Sequence, residues 1–118
     1  MEASDKIAVV NKYVEAFDQQ SLDIIRDIFA ADATVEDPVG SPAHEGIDAI
    51  CAFYEGALSS GAKLELTGPQ RCAGNAVAFP FAAVMPGMRM EIVDVFEFND
   101  DGKVISMKAY WGPENAIT

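Results

Sequence analysis

Residues 76–98 read AVAFPFAAVMPGMRMEIVDVFEF, and two features of this stretch decide the fold. Over residues 88–98, positions with apolar side chains alternate with positions that carry side chains of mixed character, which predicts a strand with one apolar face. The preceding run, Ala76 to Met85, is also predicted to be a strand, and the Pro86-Gly87 pair marks a turn between the two. The two strands therefore form an antiparallel hairpin. Pro80 has no backbone N–H to donate, so we expect it at a sheet edge or a bulge.

The same signals extend the sheet outward from this hairpin. Strands are predicted at Lys63–Thr67 and at Val104–Trp111, the latter after a turn at Asp101-Gly102. A further strand, from about Gln70 to Ala73, continues past Gly74-Asn75 into the hairpin. Turns of this length place successive strands side by side and antiparallel.

The first half of the chain predicts three helices. Apolar residues spaced three and four apart define one helix from Ser4 to about Asp18 and another from about Gly46 to Ser60. A shorter helix follows Ser21, with Leu22, Ile25, Ile28 and Phe29 as its inward stripe. Ser4 and Ser21 are the expected N-caps, and Gly61 is expected just beyond the C-cap of the third helix.

One strand, Ala33 to Asp37, is predicted between the second and third helices and ends at Pro38 and Gly40. Three helices followed by a curved, mainly antiparallel sheet make an α+β domain in which the helices cover one face of the sheet. A chain of 118 residues is expected to form one domain, residues 1–118, around a single core.

Composition and charge argue against several classes of protein. The formal net charge is −11, from 19 acidic and 8 basic residues, so nucleic acid and anionic membranes are poor partners. No apolar run approaches the roughly 20 residues that span a bilayer. The N-terminus lacks the basic segment and apolar core of a signal peptide. We therefore expect a cytoplasmic protein with no nucleic-acid or membrane partner.

Candidate metal ligands and nucleophiles are few. Cys51 and Cys72 have no second Cys or His at ligand spacing, so no metal site is predicted and both are expected to be buried free thiols. The single histidine, His44, lies in the loop SPAHEG and is expected at the surface. A histidine-based mechanism or a catalytic triad is therefore disfavoured.

One residue breaks the apolar face of the strand at residues 88–98. The even positions carry Met, Met, Ile, Asp94, Phe and Phe, with no Lys or Arg among them. Burial of an ionised carboxylate is costly, so Asp94 must be paired, hydrogen-bonded or protonated. The protonated form, acting as a hydrogen-bond donor, requires the fewest additional partners.

Two further polar side chains point toward the same interior. Asp37 shares the inward parity of Val35, and Tyr13 lies in the middle of the apolar face of the first helix. Taken singly, Asp37 is typical of a turn cap before proline, and Tyr13 of a core tyrosine bonded to a backbone carbonyl. Together with Asp94 they suit enolisation: one carboxylate removes a proton beside a carbonyl while two acidic donors hold the developing oxyanion.

Over about residues 9–115 the sequence resembles the bacterial ketosteroid isomerases, also called steroid Δ5-isomerases. Five segments in the family's order carry the resemblance: FAADATVEDPVG (29–40), AFY (52–54), LTGP (66–69), IVD (92–94) and MKAYW (107–111). The resemblance implies a conical, barrel-like α+β fold that encloses a deep apolar pocket, usually in a homodimer.

The resemblance also implies roles for individual residues. Asp37, in the VEDP segment, matches the family's catalytic base, and Tyr13 and Asp94 match its oxyanion hole. Tyr54 matches a tyrosine that supports Tyr13 through a hydrogen bond. Trp111 stands where some members place a tryptophan whose indole N–H contacts the base.

The implied reaction moves the double bond of a 3-oxo-Δ5-steroid into conjugation with the ketone, without a metal or organic cofactor. Asp37 takes a proton from C4, Tyr13 and Asp94 hold the dienolate oxygen, and Asp37 returns the proton to C6. Phe29 stands where some members have a tyrosine, so a shorter hydrogen-bond network is expected. Six residues are predicted to form the pocket wall, with plain core packing as the alternative for each: Phe17, Phe79, Phe81, Ile92, Met107 and Trp111.

Two alternatives stay open because one fold can host several functions. A related dehydratase or polyketide cyclase would use a His or an Asp-Arg-Asp set in the pocket, and neither His44 nor any inward Arg provides one. A non-catalytic module that binds apolar ligands or dimerises would not require Tyr13, Asp37 and Asp94 at inward positions.

Overall fold

The computed structural model describes all residues 1–118, and its elements follow the predicted order. Three helices are present: α1 (Ala3–Gln19), α2 (Leu22–Ile28) and α3 (Ile47–Ser59). The strands are β1 (Phe29–Glu36), β2 (His44–Glu45), β3 (Lys63–Leu66), β4 (Arg71–Ala73), β5 (Ala76–Met85), β6 (Met88–Phe98), β7 (Val104–Tyr110) and β8 (Ala116–Ile117). A short 3₁₀ turn, Pro113–Asn115, precedes the last strand.

All eight strands belong to one sheet, in the order β2-β1-β7-β6-β5-β3, with β4 also paired to β5 and β8 to β6. The β5–β6 hairpin is the longest ladder, and its pairing runs from Ala76–Glu97 to Met85–Met88 at the Pro86-Gly87 turn. Every pairing is antiparallel except β1 with β7, which is parallel. The α+β class and the mainly antiparallel sheet are therefore confirmed, and the parallel pair was not predicted.

Local sequence explains most of the helix boundaries. The Ser21 side chain accepts a hydrogen bond from the first turn of α2, and Gly61 follows the C-cap of α3 with φ +79°, both as predicted. The N-cap predicted at Ser4 is wrong. Helix α1 begins earlier because Glu2 and Asp5 close a reciprocal capping box, in which the Glu2 N–H donates to Asp5 at 2.8 Å.

Pro80 lies inside β5 and not on an outer strand or at a bulge, but its only ladder partner is Val93 of β6, because on the other side it falls between the parts of β5 that pair with β3 and with β4. Its carbonyl accepts the N–H of Thr67 at 3.1 Å. The nitrogen and carbonyl of one strand residue face the same neighbour, so the missing N–H faces the interval between β3 and β4. No ladder bond is required there, which explains why proline is accommodated in an interior strand.

The apolar core is one cluster of 22 buried residues between the helices and the sheet. In β6 the side chains of Asp94, Phe96 and Phe98 are buried whereas Glu91 and Val93 are exposed, which confirms the predicted alternation. Cys51 is buried as predicted, but Cys72 is only half-buried. No helix is both long and apolar enough to cross a membrane.

His44 is not in an open loop. It forms the two-residue strand β2 opposite Val35 of β1, and its half-buried ring stacks on Phe53 with a centroid separation of 4.5 Å. The loop prediction failed because the Pro and Gly residues around His44 mask a pairing that depends on β1 being in place.

Candidate active site

A cavity of about 330 Å³ lies between the helices and the sheet, a size typical of small-molecule sites. Fourteen of its 17 lining residues are hydrophobic, and only two carboxyl groups and one serine depart from this character. The lining residues are Tyr13, Phe17, Asp37, Phe53, Tyr54, Ala57, Ser60, Ala62, Leu64, Phe81, Ala83, Met85, Met88, Met90, Ile92, Asp94 and Trp111.

The three residues predicted to carry the chemistry, Tyr13, Asp37 and Asp94, all line this cavity, as do Tyr54 and Trp111. They come from α1, the end of β1, β6, α3 and the end of β7. The fold therefore brings together side chains that are distant in sequence.

The prediction of the residues that form the pocket wall is correct in part. Phe17, Phe81, Ile92 and Trp111 line the cavity, whereas Phe79 and Met107 do not. Both are 0% exposed and belong to the core cluster. The prediction failed for these two because strand parity identifies the face of a side chain but not its depth along the strand.

Sequence reasoning missed the rest of the lining. The missed residues are Phe53, Ala57, Ser60, Ala62, Leu64, Ala83, Met85, Met88 and Met90. Those on β5 and β6 share the inward parity of Phe81 and Ile92, so continuing that parity to the hairpin turn would have found them. Ala57, Ser60 and Ala62 carry no sequence signal of their own.

Asp94 is 1% exposed, and its buried Oδ1 atom has no hydrogen-bond partner. Its strand neighbours are Phe79 on β5 and Ala109 on β7, and no Lys or Arg lines the cavity. Burial, and after it the charge of Asp37, raise the pKa of Asp94 well above the ordinary carboxyl value. This environment favours the protonated carboxyl, which can donate a hydrogen bond.

The hydroxyl groups of Tyr13 and Tyr54 lie 2.9 Å apart and are hydrogen-bonded. Burial raises the pKa of both tyrosines well above the ordinary phenol value, so both are neutral donors. The Phe29 ring lies 5.7 Å from that of Tyr54 and has no hydroxyl. The chain of hydroxyl groups therefore does not extend to position 29.

Asp37 and Trp111 meet because β1 and β7 are parallel and end at the same edge of the sheet. The indole Nε1–H donates to Oδ1 of Asp37 at 2.7 Å. Burial raises the pKa of Asp37, and the Trp111 hydrogen bond and the charge of His44 oppose that rise. The two carboxyl groups thus differ: Asp37 has a donor that stabilises its ionised form, and Asp94 has none.

This arrangement suits a small apolar ligand with one polar oxygen. The protonated Asp94 and the Tyr13 hydroxyl can donate to that oxygen, and the Asp37 carboxylate in the same cavity can accept a proton. No group of three or more His, Cys, Asp or Glu side chains is placed to hold a metal ion.

The cone-like α+β fold with its apolar cavity defines the NTF2-like class of domains, and the family model of the SnoaL-like domain matches residues 10–107. A solved structure of SalBIII, described as an epoxide hydrolase/cyclase-like enzyme in pyran ring formation in the polyether salinomycin, is similar with a TM-score of 0.90. It is 27% identical, and the likeness covers 98% of this chain and 96% of that chain.

A second similarity narrows the assignment within this class. A steroid Delta-isomerase from Nocardioides simplex is 39% identical over 116 residues, which cover 93% of this chain and 92% of that protein. The chain belongs to the SnoaL-like domain family and, within it, to the ketosteroid isomerases.

Proposed function

We propose that the protein is a steroid Δ-isomerase that converts 3-oxo-Δ5-steroids to their conjugated Δ4 isomers. The main support is the contrast between two carboxyl groups in one apolar cavity. Asp37 accepts the Trp111 indole hydrogen bond, whereas Asp94 is buried with an unpartnered oxygen. Such a pair supplies a base and an acid at the same pH. The similarity to a steroid Delta-isomerase supports the same reaction.

The proton moves within the substrate by way of Asp37. The ionised Asp37 removes a proton from C4, the C4–H electrons form the C3–C4 double bond of a dienolate, and negative charge develops on the 3-oxygen. The protonated Asp37 then delivers the same proton to C6, and the electrons return to leave the C4–C5 double bond conjugated with the ketone. Atoms and electrons balance without a co-reactant.

The 3-oxygen is held by Tyr13 and Asp94. With Tyr54 donating to the Tyr13 oxygen, the Tyr13 proton is free to point at the substrate, and the protonated Asp94 supplies the second donor. Both donors are buried and shielded from water, so they favour the dienolate over the ground-state ketone.

A cyclase is the second candidate, because the SalBIII likeness extends over nearly the whole fold. An acid and a base in one cavity would also serve ring closure. The cavity contains no His or Arg, and the polar groups other than Ser60 are those used by the isomerase proposal. A non-catalytic binding module is less consistent with Asp94, because its burial is costly unless a ligand uses the carboxyl.

A homodimer is expected as the working form. The face of the sheet away from the helices carries the paired residues Val93 and Tyr110, which are 41% and 48% exposed. Apolar side chains of this size on an open sheet face favour coverage by a second subunit.

Ultraviolet absorbance during incubation with 5-androstene-3,17-dione tests the function, since the conjugated enone absorbs and the substrate does not. We expect turnover by the native chain and its loss in Asp37→Asn. The matched control is Asp32→Asn, which changes an exposed carboxyl of the same strand. Absence of turnover in the native chain would rule out the proposal.

A further inference from the structure

His44 lies against the candidate site without entering it. Its half-buried ring stacks on that of Phe53 with a centroid separation of 4.5 Å and an interplanar angle of 27°. Phe53 lines the cavity, whereas His44 does not. The Phe53 ring also meets that of Tyr54 edge to face, at a centroid separation of 5.1 Å. The imidazole is therefore one aromatic side chain away from the cavity.

Strand pairing places the same ring near Asp37. His44 of β2 is directly opposite Val35 of β1, and paired residues of an antiparallel ladder point to the same face of the sheet. Val35 is 0% exposed, so His44 shares the inward face. Asp37 comes two residues after Val35 and has the same parity, which makes it the diagonal neighbour of His44. Diagonal positions lie about 7–8 Å apart, within reach of an aromatic side chain.

His44 is the one cation that acts on Asp37. No Lys or Arg lines the cavity, although the chain contains eight such residues. Burial raises the pKa of Asp37, and the Trp111 hydrogen bond and the charge of His44 lower it. Three other ionisable side chains share the cavity with Asp37, and burial holds each of them neutral: Tyr13, Tyr54 and Asp94.

The other carboxylates near His44 do not compete for its charge. Strand β2 packs against β1 and α3. On β1, Glu36 has the opposite parity to Asp37, and its Oε1 atom accepts the N–H of Gly40 at 2.9 Å. The remaining ionisable side chains of these three elements are either buried in α3, as Cys51 and Tyr54 are, or exposed to water: Asp32, Glu45, Asp48 and Glu55. Asp37 is therefore the inward carboxyl group beside His44.

We propose that His44 is a positioning residue for the base: it holds a positive charge behind Phe53, outside the cavity, and stabilises the Asp37 carboxylate. The proposal rests on the isomerase function and adds a residue that supports its proton acceptor. An ordinary imidazole is cationic in the acid range in which carboxyl groups titrate. The stack fixes this charge in place, since a cation over the face of an aromatic ring is attracted to it. The base thereby stays ionised at a lower pH than its burial alone would permit.

The indole N–H of Trp111 reports the ionisation of Asp37 without requiring turnover. It donates to Oδ1 of Asp37 at 2.7 Å, and Trp111 is the single tryptophan of the chain, so its proton–nitrogen NMR resonance is identified at once. In the native chain we expect this resonance to move with pH as Asp37 titrates. Asp37→Asn is expected to abolish that titration, which would establish that the resonance reports Asp37.

Variants at position 44 separate the charge from the stack. His44→Phe keeps a flat ring against Phe53 but removes the charge, so the midpoint of the Trp111 titration is expected to move to higher pH. His44→Arg supplies a flat cation that also stacks, so its midpoint is expected at or below the native one. Arg26→Gln, which removes an exposed cation paired with Asp48 at 3.9 Å, is the control and is expected to leave the midpoint unchanged. If His44→Phe does not fold, His44→Gln replaces it.

The acid limb of the kcat/KM profile is expected to follow the same order, since it reports the ionisation of the base in the free enzyme. Above that limb His44→Phe is expected to retain the native kcat, because His44 does not line the cavity and so does not touch the substrate. A purely structural role would instead lower kcat at every pH and leave the limb in place.

The NMR titration and the isomerase assay fail independently. An unmoved midpoint in His44→Phe, or the same upward movement in His44→Arg, overturns the inference about His44 and leaves the isomerase reaction standing. A midpoint that moves in His44→Phe alone, in a chain that does not isomerise 3-oxo-Δ5-steroids, refutes the proposed function and supports the action of His44 on Asp37.

Discussion

Replacement of Asp94 by asparagine is expected to stabilise the folded protein at neutral pH. Burial raises the pKa of Asp94 in the folded state well above its unfolded value, so the folded state holds this proton more tightly. The contribution of this bound proton to the free energy of unfolding is complete when the pH is below the unfolded carboxyl pKa, about 3.9. It is lost as the pH rises toward the folded pKa, because the unfolded state ionises first. Asparagine has no such proton and shows no such loss.

The size of this stability difference follows from the one proton that Asp94 binds and from the contacts that its side chain makes. One proton bound in the folded but not the unfolded state lowers the free energy of unfolding by about 1.4 kcal/mol per pH unit. Asp94 is 1% exposed, so solvent does not screen it, and its Oδ1 atom has no protein partner for the amide to lose. The advantage of the variant is therefore expected to grow with pH above the unfolded carboxyl pKa, by up to about 1.4 kcal/mol per pH unit, until the pH reaches the folded pKa of Asp94.

Urea unfolding at pH 5, 6 and 7, at one fixed protein concentration, measures this difference. Asp37 is present in both proteins and its contribution cancels. The exposed Asp32→Asn variant is the control, and its curve is expected to run parallel to that of the native chain. Parallel curves for Asp94→Asn as well would show that Asp94 is ionised in the folded state and would refute the reasoning.

Four further predictions concern activity and assembly. Asp37→Asn is expected to lower kcat about 10²–10⁴-fold because an amide does not accept the proton; an unchanged rate in the ultraviolet assay would exclude Asp37 as the base. Asp94→Ala is expected to lower kcat about 10²–10³-fold and Asp94→Asn much less, and equal losses with unchanged affinity for a phenolic steroid would exclude the oxyanion role. Trp111→Phe removes a hydrogen bond that lowers the pKa of Asp37, so the acid limb of the kcat/KM profile moves to higher pH; an unmoved limb would contradict this. Light scattering at micromolar concentration is expected to report a homodimer, and a monomer alone would count against coverage of the open sheet face.

Much of the fold was predictable because the signals are local. The alternation in β6, the Pro86-Gly87 turn and the Ser21 cap each depend on a few neighbouring residues. The parallel pairing of β1 with β7 and the short strand β2 depend on partners far away in the chain. No local pattern encodes such partners, which explains why both were missed.

The same distinction between local and long-range signals applies to the residues of the candidate site. Asp94 was identified because a carboxyl group on an apolar strand face is anomalous within its own segment. Phe79 and Met107 were misplaced and Met85, Met88 and Met90 were missed, because the cavity occupies only the hairpin end of the sheet. The depth of a residue along a strand depends on how the helices cover the sheet, and parity does not report it.

The parallel pairing of β1 and β7 also has a consequence for the order in which the cavity is expected to form during folding. Asp37 and Trp111 are 74 residues apart in sequence, and their hydrogen bond exists only once the two strands are side by side. Contacts of such long sequence separation close slowly, because the intervening chain must be ordered before they form. The helices and the β5–β6 hairpin rest on local contacts and form on faster timescales. We therefore expect the proton-accepting end of the cavity to be among the last parts to assemble, so that topology more than helix propensity limits the rate at which an active molecule forms.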